Sequence, residues 1–428
     1  MKDFLMIPVK TNSIDIRARY KEGLSARNNY ITSYLHLMPR YFRCIDERRF
    51  NEVPAPLSVQ VHLSSRCTTR CVMCQHWREE ADGLPLETWR SIFIELSSFG
   101  VQTVTFSGGE PLTRADFVSL LETATAAGLH VGMLTSGTMA APDFNVRKRV
   151  LDSIAEHVDW VQVSIDGLEM EDARIRNPLV PARFELLHEF FTILRGRRPR
   201  LSIALTLQKS NIDLDLPAIC RRLQRDFRSD EIIVKLATGS DDALSKHAPF
   251  LPDMAQLLCF LTKLQNTSEE NQTSNLTYLS RSFTDGIFSI DDVSNGAPVR
   301  SFYAQQEIRC YTPYLFSLID SDGQIYPCCH LYRDNHSFDR RTIEFRARHS
   351  MGNAATTRFR EVWNNSRYSD ERRNLLRIDP NHPAFTPCGE CTRHCRHNLA
   401  LTQIHVDQPS GSEVFGEMED GNKRPVWF

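Results

Sequence analysis

Six short β-rich runs, each followed by a longer amphipathic stretch, predict an α/β fold built on a parallel sheet with helical crossovers. Two further observations refine that class. Loops rich in glycine and hydroxyl residues fall at the C-terminal ends of the runs, where an open or partial (β/α)6 barrel gathers its chemistry. After about residue 240 the alternation stops, a polar stretch "NTSEENQTSN" follows at 266–275, and a cysteine-rich region beyond it predicts a separate small α+β domain.

The runs are "SVQVHL" (58–63), "VQTVTF" (101–106), "HVGMLT" (130–135), "WVQVSI" (160–165), "LSIALTL" (201–207) and "EIIVKL" (231–236). Between them, "LETWRSIFIELSSF" (86–99) and "ADFVSLLETATAAG" (115–128) carry apolar residues at helical spacing, the second closed by a glycine. Residues 1–55 are weakly patterned and end in "NEVPAPL", whose prolines disfavour helix, so they form an N-terminal accessory segment. The expected divisions are a core barrel over 56–240, a connecting region over 241–305, an auxiliary domain over 306–400 and a loosely held tail over 401–428.

Composition narrows the function classes. The chain has 428 residues, 41% hydrophobic and 24% charged, with a formal net charge of -2. That balance supports an ordinary core and offers no reason to expect nucleic acid or an anionic membrane as partner. No run of ~18 apolar residues occurs, and the first ten residues make no signal-peptide core, so a cytoplasmic protein is expected. In a reducing compartment, close cysteines point to metal ligation or catalysis rather than disulfides.

Cys67, Cys71 and Cys74 follow the first strand as "CTTRCVMC", a C-x3-C-x2-C spacing. A structural zinc site wants four ligands in paired units, and His76 is the nearest candidate for a fourth. Three thiolates on an iron-sulfur cluster instead leave one iron open to a small molecule. "SGGEP" (107–111) closes the second strand, "TSGT" (135–138) the third and "SIDG" (164–167) the fourth. The two glycines allow close backbone approach to a ligand, and the hydroxyls suit a ribose or a carboxylate.

In these motifs the chain resembles the radical S-adenosylmethionine (radical SAM) superfamily. The resemblance implies a partial (β/α)6 TIM-like barrel, with Cys67, Cys71 and Cys74 holding a 4Fe-4S cluster whose fourth iron chelates SAM. It also places Gly108, Gly109 and Glu110 at the SAM amino group, Ser136, Ser164 and Asp166 in the SAM or substrate pocket, and Arg176 near the SAM carboxylate. Met73 stands where many relatives carry an aromatic residue near the adenine, and methionine can pack on a purine face.

The second region reads "EIRCYTPYLFSLIDSDGQIYPCCH" (307–330), "MGNAATTRFREVWNNSRY" (351–368) and "CGECTRHC" (388–395). A hairpin at "DSDG" brings Cys310 and Cys328 together, and the later cysteines complete a tetrathiolate site that by ligand chemistry suits zinc or iron-sulfur. This region is similar to the SPASM and shorter twitch auxiliary domains of radical SAM enzymes. The similarity implies one auxiliary 4Fe-4S cluster on Cys310, Cys328, Cys388 and Cys391, with Cys395 as a replacement ligand or part of an incomplete second site. Cys329 is expected to point away from the site, as strand alternation would require. Cys44, Cys220 and Cys259 lie in apolar or helical contexts and are expected to be buried and inert.

By this reading the protein is a radical SAM oxidoreductase that abstracts hydrogen from its substrate, with the auxiliary cluster taking an electron. The cysteine spacing leans towards a small polar natural product, in sugar or aminocyclitol oxidation or epimerisation. A ribosomal-peptide maturase is the alternative, and a non-catalytic iron-sulfur electron-transfer or cluster-assembly protein is the alternative of another class. A one-electron reductant such as flavodoxin or ferredoxin is the implied partner. The basic runs "RGRRPR" (195–200) and "DRRTIEFRARHS" (339–350) are expected to be solvated loop surface.

Overall fold

The computed structural model describes residues 37–74, 76–78, 81–141, 143–236, 310–329 and 340–375, with the single positions 256, 259 and 405. Nearly all of the connecting region, the cysteines Cys388, Cys391 and Cys395, and most of the tail lie outside these residues.

Six strands form where the β-rich runs predict them. They are β1 (Ser58–Ser64), β2 (Thr103–Gly108), β3 (His130–Thr135), β4 (Trp160–Ser164), β5 (Arg200–Leu207) and β6 (Glu231–Leu236). Each pairs in parallel with the next. The helices are α1 (Met38–Asp46), α2 (Leu86–Phe99), α3 (Phe117–Ala126), α4 (Phe144–His157), α5 (Glu169–Arg176), α6 (Arg183–Leu194) and α7 (Leu216–Phe227). On α2 the buried Trp89, Ile92, Phe93 and Leu96 recur at one-face spacing, which is why this segment docks on the sheet. Helix α4 starts where the Asp143 carboxylate accepts the Asn145 and Val146 N–H groups, and α7 where Asp215 accepts that of Ala218.

Alternation along the strands gives the sheet two chemically different faces. Val61, Phe106, Met133 and Val161 stand in one cross-strand row, and Val59, Val104 and Val131 in another. They join Phe93, Leu121, Ile154 and Phe190 of the helices in one apolar core. The intervening rows are Ser58 beside Thr103, Gln60 beside Thr105, and His62 beside Ser107. Strands buried on both faces read as continuous apolar runs, so this alternation marks a polar interior to the open barrel. Gly132 in that interior leaves room for the Trp160 indole, which lies directly against it where any Cβ would stand.

The described part of the cysteine-rich region extends the same sheet. Strand β7 (Phe316–Ile319) pairs in parallel with β1, β8 (Gln324–Tyr326) pairs antiparallel with β7, and β9 (Gly352–Asn353) antiparallel with β8. The described strands thus form one open sheet in the order β6-β5-β4-β3-β2-β1-β7-β8-β9, with no closed barrel among them. Helices α8 (Thr312–Leu315), α9 (Arg340–His349), α10 (Phe359–Trp363) and α11 (Ser366–Leu375) accompany the added strands.

Two of these helices clasp the N-terminal segment. The Trp363 indole donates to the Val53 and Pro54 carbonyls at 3.2 and 3.0 Å, and Arg372 donates to those of Phe50 and Pro313 at 2.7 and 3.0 Å. The Arg372 guanidinium lies 4.1 Å from the Trp363 ring and 4.4 Å from that of Tyr368, so a fully buried cation is held by aromatic faces and carbonyls.

Cys44 and Cys220 are buried as expected, but Cys259 is exposed, since a helical context alone does not say which face a residue takes. The run at 195–200 sits before β5, at the end of the sheet away from the cysteine loop. There Arg197, Arg198 and Arg200 pair with Asp152, Asp159 and Glu231 at 2.6, 2.9 and 2.7 Å. Among the described residues no helix is long and apolar enough to cross a membrane.

Candidate active site

The loop after β1 is held on three sides. On one, Arg70 and Val72 donate their N–H groups to the Arg176 and Ile175 carbonyls at 2.9 and 3.0 Å, and Leu179 donates to Thr68 at 2.8 Å, which fastens the loop to the end of α5. On the second, Gly109 donates to the Ser64 carbonyl at 2.8 Å and Glu110 to that of Arg66 at 2.7 Å. The glycines of this loop also pack closely on the chain itself. A Cβ on Gly108 would strike the Ser64 carbonyl oxygen, one on Gly109 that of Arg66, and the φ of 113° at Gly108 favours glycine in any case.

The third side is a buried hydroxyl network. Thr68 lies 3.1 Å from the Ser136 hydroxyl and 3.0 Å from that of Thr138, which are 2.9 Å from each other. Beneath them Glu110, fully buried, accepts from Leu112 N–H, Thr135 Oγ1, Ser136 N–H and Ser136 Oγ at 3.1, 2.7, 2.6 and 2.5 Å. Burial raises the Glu110 carboxyl above its ordinary range even though these four bonds pull it down. Glu110 and Ser136 therefore join the loops after β1, β2 and β3.

The thiols converge on the loop's own polar groups. Cys67 Sγ and Cys71 Sγ both lie 3.3 Å from Thr69 Oγ1, and Cys74 N–H donates to the Cys71 carbonyl at 3.1 Å. Burial, with the Glu110 charge second, pushes the Cys67 thiol up. Met73 is half-buried between Cys71 and Cys74. Arg176, which the resemblance sets near the SAM carboxylate, is buried with Nη1 3.7 Å from Cys71 Sγ. It pairs with Asp166 at 2.8 Å and Asp172 at 3.5 Å. Burial opposes its charge, yet Asp166, Cys71 and Asp172 together hold it protonated above its ordinary value.

Asp166, fully buried after β4, accepts the Thr206 N–H at 2.7 Å, and burial raises its carboxyl although Arg176 pulls the other way. Ser164 is half-buried, and its carbonyl accepts from Arg183 Nη2 at 2.7 Å. Arg183, which sequence reasoning missed, also donates to the Ser136 carbonyl at 2.6 Å and to Asp172 at 2.7 Å, tying the ends of β3 and β4 to α5. Gln208, just beyond β5, is fully buried with neither side-chain amide atom hydrogen-bonded.

A second cluster joins β1 to the added strands. His62 Nδ1 lies 2.9 Å from Asp320 Oδ1, which is 258 residues away, and Asp320 accepts from Arg346 Nη2 at 2.6 Å. Burial opposes the Asp320 charge, but His62 and Arg346 hold its carboxyl well below the usual carboxylate range. His62 packs edge to face on His76 with ring centroids 4.7 Å apart, so the residue following the cysteine loop touches this pair.

In the auxiliary region Cys310 and Cys328 meet around Leu375, with Cys329 also against them. Strand β8 ends at Tyr326, so Cys329 lies in a turn and the alternation expected to aim it away does not apply. Helix α11 brings Glu371 beside Cys328, and burial first, then the Cys328 charge, pushes its carboxyl up to about 7.

Among the described residues no three His, Cys, Asp or Glu side chains close on a single metal ion. Three soft thiols on one loop, with a buried guanidinium to offset their charge, form a donor set suited to an iron-sulfur cluster. Residues 61–221 match the radical SAM superfamily, and residues 310–392 match SPASM, an iron-sulfur cluster-binding domain. The chain is a radical SAM enzyme with a C-terminal SPASM domain. Those two assignments bring a 4Fe-4S cluster, SAM and auxiliary iron-sulfur chemistry.

Among curated proteins, this radical SAM enzyme is 26% identical over 290 residues to the PqqA peptide cyclase of Rhodopseudomonas palustris, covering 64% of the chain and 67% of that protein. It is 29% identical over 228 residues to that of Xanthomonas euvesicatoria, covering 51% and 57%. Among solved structures it resembles SuiB of Streptococcus suis bound to S-adenosylmethionine, with a TM-score of 0.52 and 16% identity over 77% of this chain and 70% of that one. The anSMEcpe structure with bound AdoMet and a Cp18Cys peptide gives 0.51 and 15% over 82% and 97%. At these identities the likeness to the solved structures concerns the fold.

Proposed function

We propose that this radical SAM enzyme is a peptide maturase, which forms a crosslink or ring in a peptide by hydrogen abstraction. The observation that carries this is the match to peptide cyclases over 64% of the chain. It favours the peptide over the sugar-type substrate towards which the cysteine spacing leans.

In this reading Cys67, Cys71 and Cys74 hold the first cluster, and Cys310 and Cys328 belong to the auxiliary site with Cys388, Cys391 or Cys395. When bound, and with electrons from a flavodoxin- or ferredoxin-type carrier, the first cluster would supply the one-electron reducing chemistry that SAM cleavage to a hydrogen-abstracting radical requires. The chain's own residues hold the setting. Glu110, Ser136 and Thr68 fix the three loops against one another, so the backbone of Gly108 and Gly109 and the side chains of Met73, Ser164 and Asp166 stand still around SAM. Arg176, buried against Cys71, offsets thiolate charge. The polar interior rows, with Gln60 and Gln162 half-buried, present donors and acceptors to a peptide backbone, and burial of the site excludes water.

The test is incubation of the reconstituted enzyme with SAM, a reductant and peptides encoded beside its gene. The expected result is 5'-deoxyadenosine together with the loss of two hydrogens from one peptide. Turnover of a free sugar or aminocyclitol, with no change in any peptide, would overturn the reading.

A further inference from the structure

One polar side chain at the rim of the open barrel is left over. Gln208 is fully buried, yet neither its amide nitrogen nor its amide oxygen has a hydrogen-bond partner among the described residues. Its backbone, by contrast, is engaged: its N–H donates to Asn211 Oδ1 at 2.7 Å, and its carbonyl accepts from the Asn211 and Ile212 N–H groups at 3.0 and 2.9 Å. Asn211 Nδ2 in turn donates to the Asp166 and Thr206 carbonyls, each at 2.9 Å. The turn that carries Gln208 is thus locked to Asp166, which pairs with Arg176 beside Cys71. Leu201, Ile203, Leu205 and Leu207 of β5 enter the apolar core, whereas Ser202, Ala204 and Thr206 alternate with them on the other face. Gln208 follows Leu207 directly and shares the parity of the second set, so its amide takes the interior side.

An unpaired buried amide costs folding free energy that an apolar side chain of the same size does not, so a partner from outside the chain accounts for it best. A side-chain amide offers a donor and an acceptor in one plane, which complements the C=O and N–H of a peptide unit. Height along the barrel separates the two ligands that could reach it. Ser164, set around SAM in the reading above, is in register with Ala204, so Gln208 stands two pleats, about 13 Å of strand, nearer the rim. A ligand that extends past SAM towards the rim meets this amide. We propose that Gln208 is a substrate-binding residue whose amide N–H and carbonyl both hydrogen-bond a main-chain amide of the peptide. The proposal rests on the peptide reading and names one point at which the chain holds that substrate. Such a contact reads backbone rather than side chains, so it fixes the depth of the peptide and leaves its sequence to other residues.

The experiment uses the reconstituted full chain and the peptide, encoded beside its gene, that the parent converts. Gln208→Met, which keeps the volume and removes both polar atoms, is compared with the parent. Thermal melting without ligands, SAM affinity by calorimetry, and KM and kcat for the peptide are measured. The expected result is a KM raised about tenfold, since the bound peptide is left with an unpaired donor and acceptor. SAM affinity stays at the parental value, and the melting midpoint holds or rises because the unliganded chain sheds an unpaired amide. A purely structural residue does not give that combination. Four results would overturn the proposal. An unchanged KM removes the contact. Weaker SAM binding with an unchanged KM assigns the amide to the nucleoside instead. A lower midpoint, with SAM and peptide affinity falling together, makes Gln208 the partner of a buried water that serves the fold. A parent that converts no peptide removes the substrate reading itself, and that is seen before any variant is made.

Discussion

The two sulfur-bearing regions are built in opposite ways. The first draws its three thiols from eight consecutive residues and holds them with hydroxyls, a carboxylate and a guanidinium from neighbouring loops. The second brings Cys310 and Cys328 together from a loop and a turn, and is held by an apolar contact through Leu375. A contiguous loop tolerates loss of its ligands because its frame is independent of them. An assembled site has fewer supports of its own.

That contrast breaks most sharply when the first site is emptied. Changing Cys67, Cys71 and Cys74 to alanine is expected to abolish 5'-deoxyadenosine formation entirely while auxiliary iron stays at its parental level, as iron and sulfide counts will show. Parallel loss of both irons would mean that the regions are one folding unit.

Next in size, Glu110→Gln leaves the first frame short of an acceptor and sets an amide donor against the Ser136 N–H. Destabilisation of about 3 kcal/mol is expected by chemical denaturation, together with weaker SAM binding by calorimetry. An unchanged midpoint would show that the hydroxyl network carries the loops without its carboxylate.

The link between the regions is open to test by pH. His62 and Arg346 depress the Asp320 carboxyl, so its contribution is present above the unfolded value of ~3.9 and is lost as pH falls through the lower folded value. Asp320→Asn should therefore destabilise the chain by about 2 kcal/mol at neutral pH and flatten the acid limb of a melting-temperature profile. An acid limb identical to the parent's would remove this pair from the account. The smallest expected effect lies away from both sites: Gly132→Ala forces the Trp160 indole to move and should cost about 1 to 2 kcal/mol without altering either iron count.

The same contrast decides what was legible in the sequence. Strands β1 to β6 and the cysteine loop could be read because alternation, helical spacing and C-x3-C-x2-C are local patterns. The glycines of "SGGEP" were legible as positions of close approach, but their packing on Ser64 and Arg66 was not, since it is a fact of the folded chain. Arg183, Asp172 and Asp320 carry no local signal, as their partners are distant in sequence and ordinary in type. The two threonines inside "CTTRC" were the visible hint of the hydroxyl network. The continuation of the sheet into the cysteine-rich region was hidden for a related reason: strand pairing between β1 and β7 leaves no mark in either strand alone.

That pairing also has a consequence for synthesis. One side of β1 stays open until β7 has emerged, and the buried His62–Asp320 contact spans 258 residues. At ordinary elongation rates the wait is roughly 13 to 50 seconds, during which an unpaired strand edge bearing the future cluster loop is presented to solvent or to a chaperone. The nascent enzyme is thus most vulnerable at the strand that later carries its chemistry.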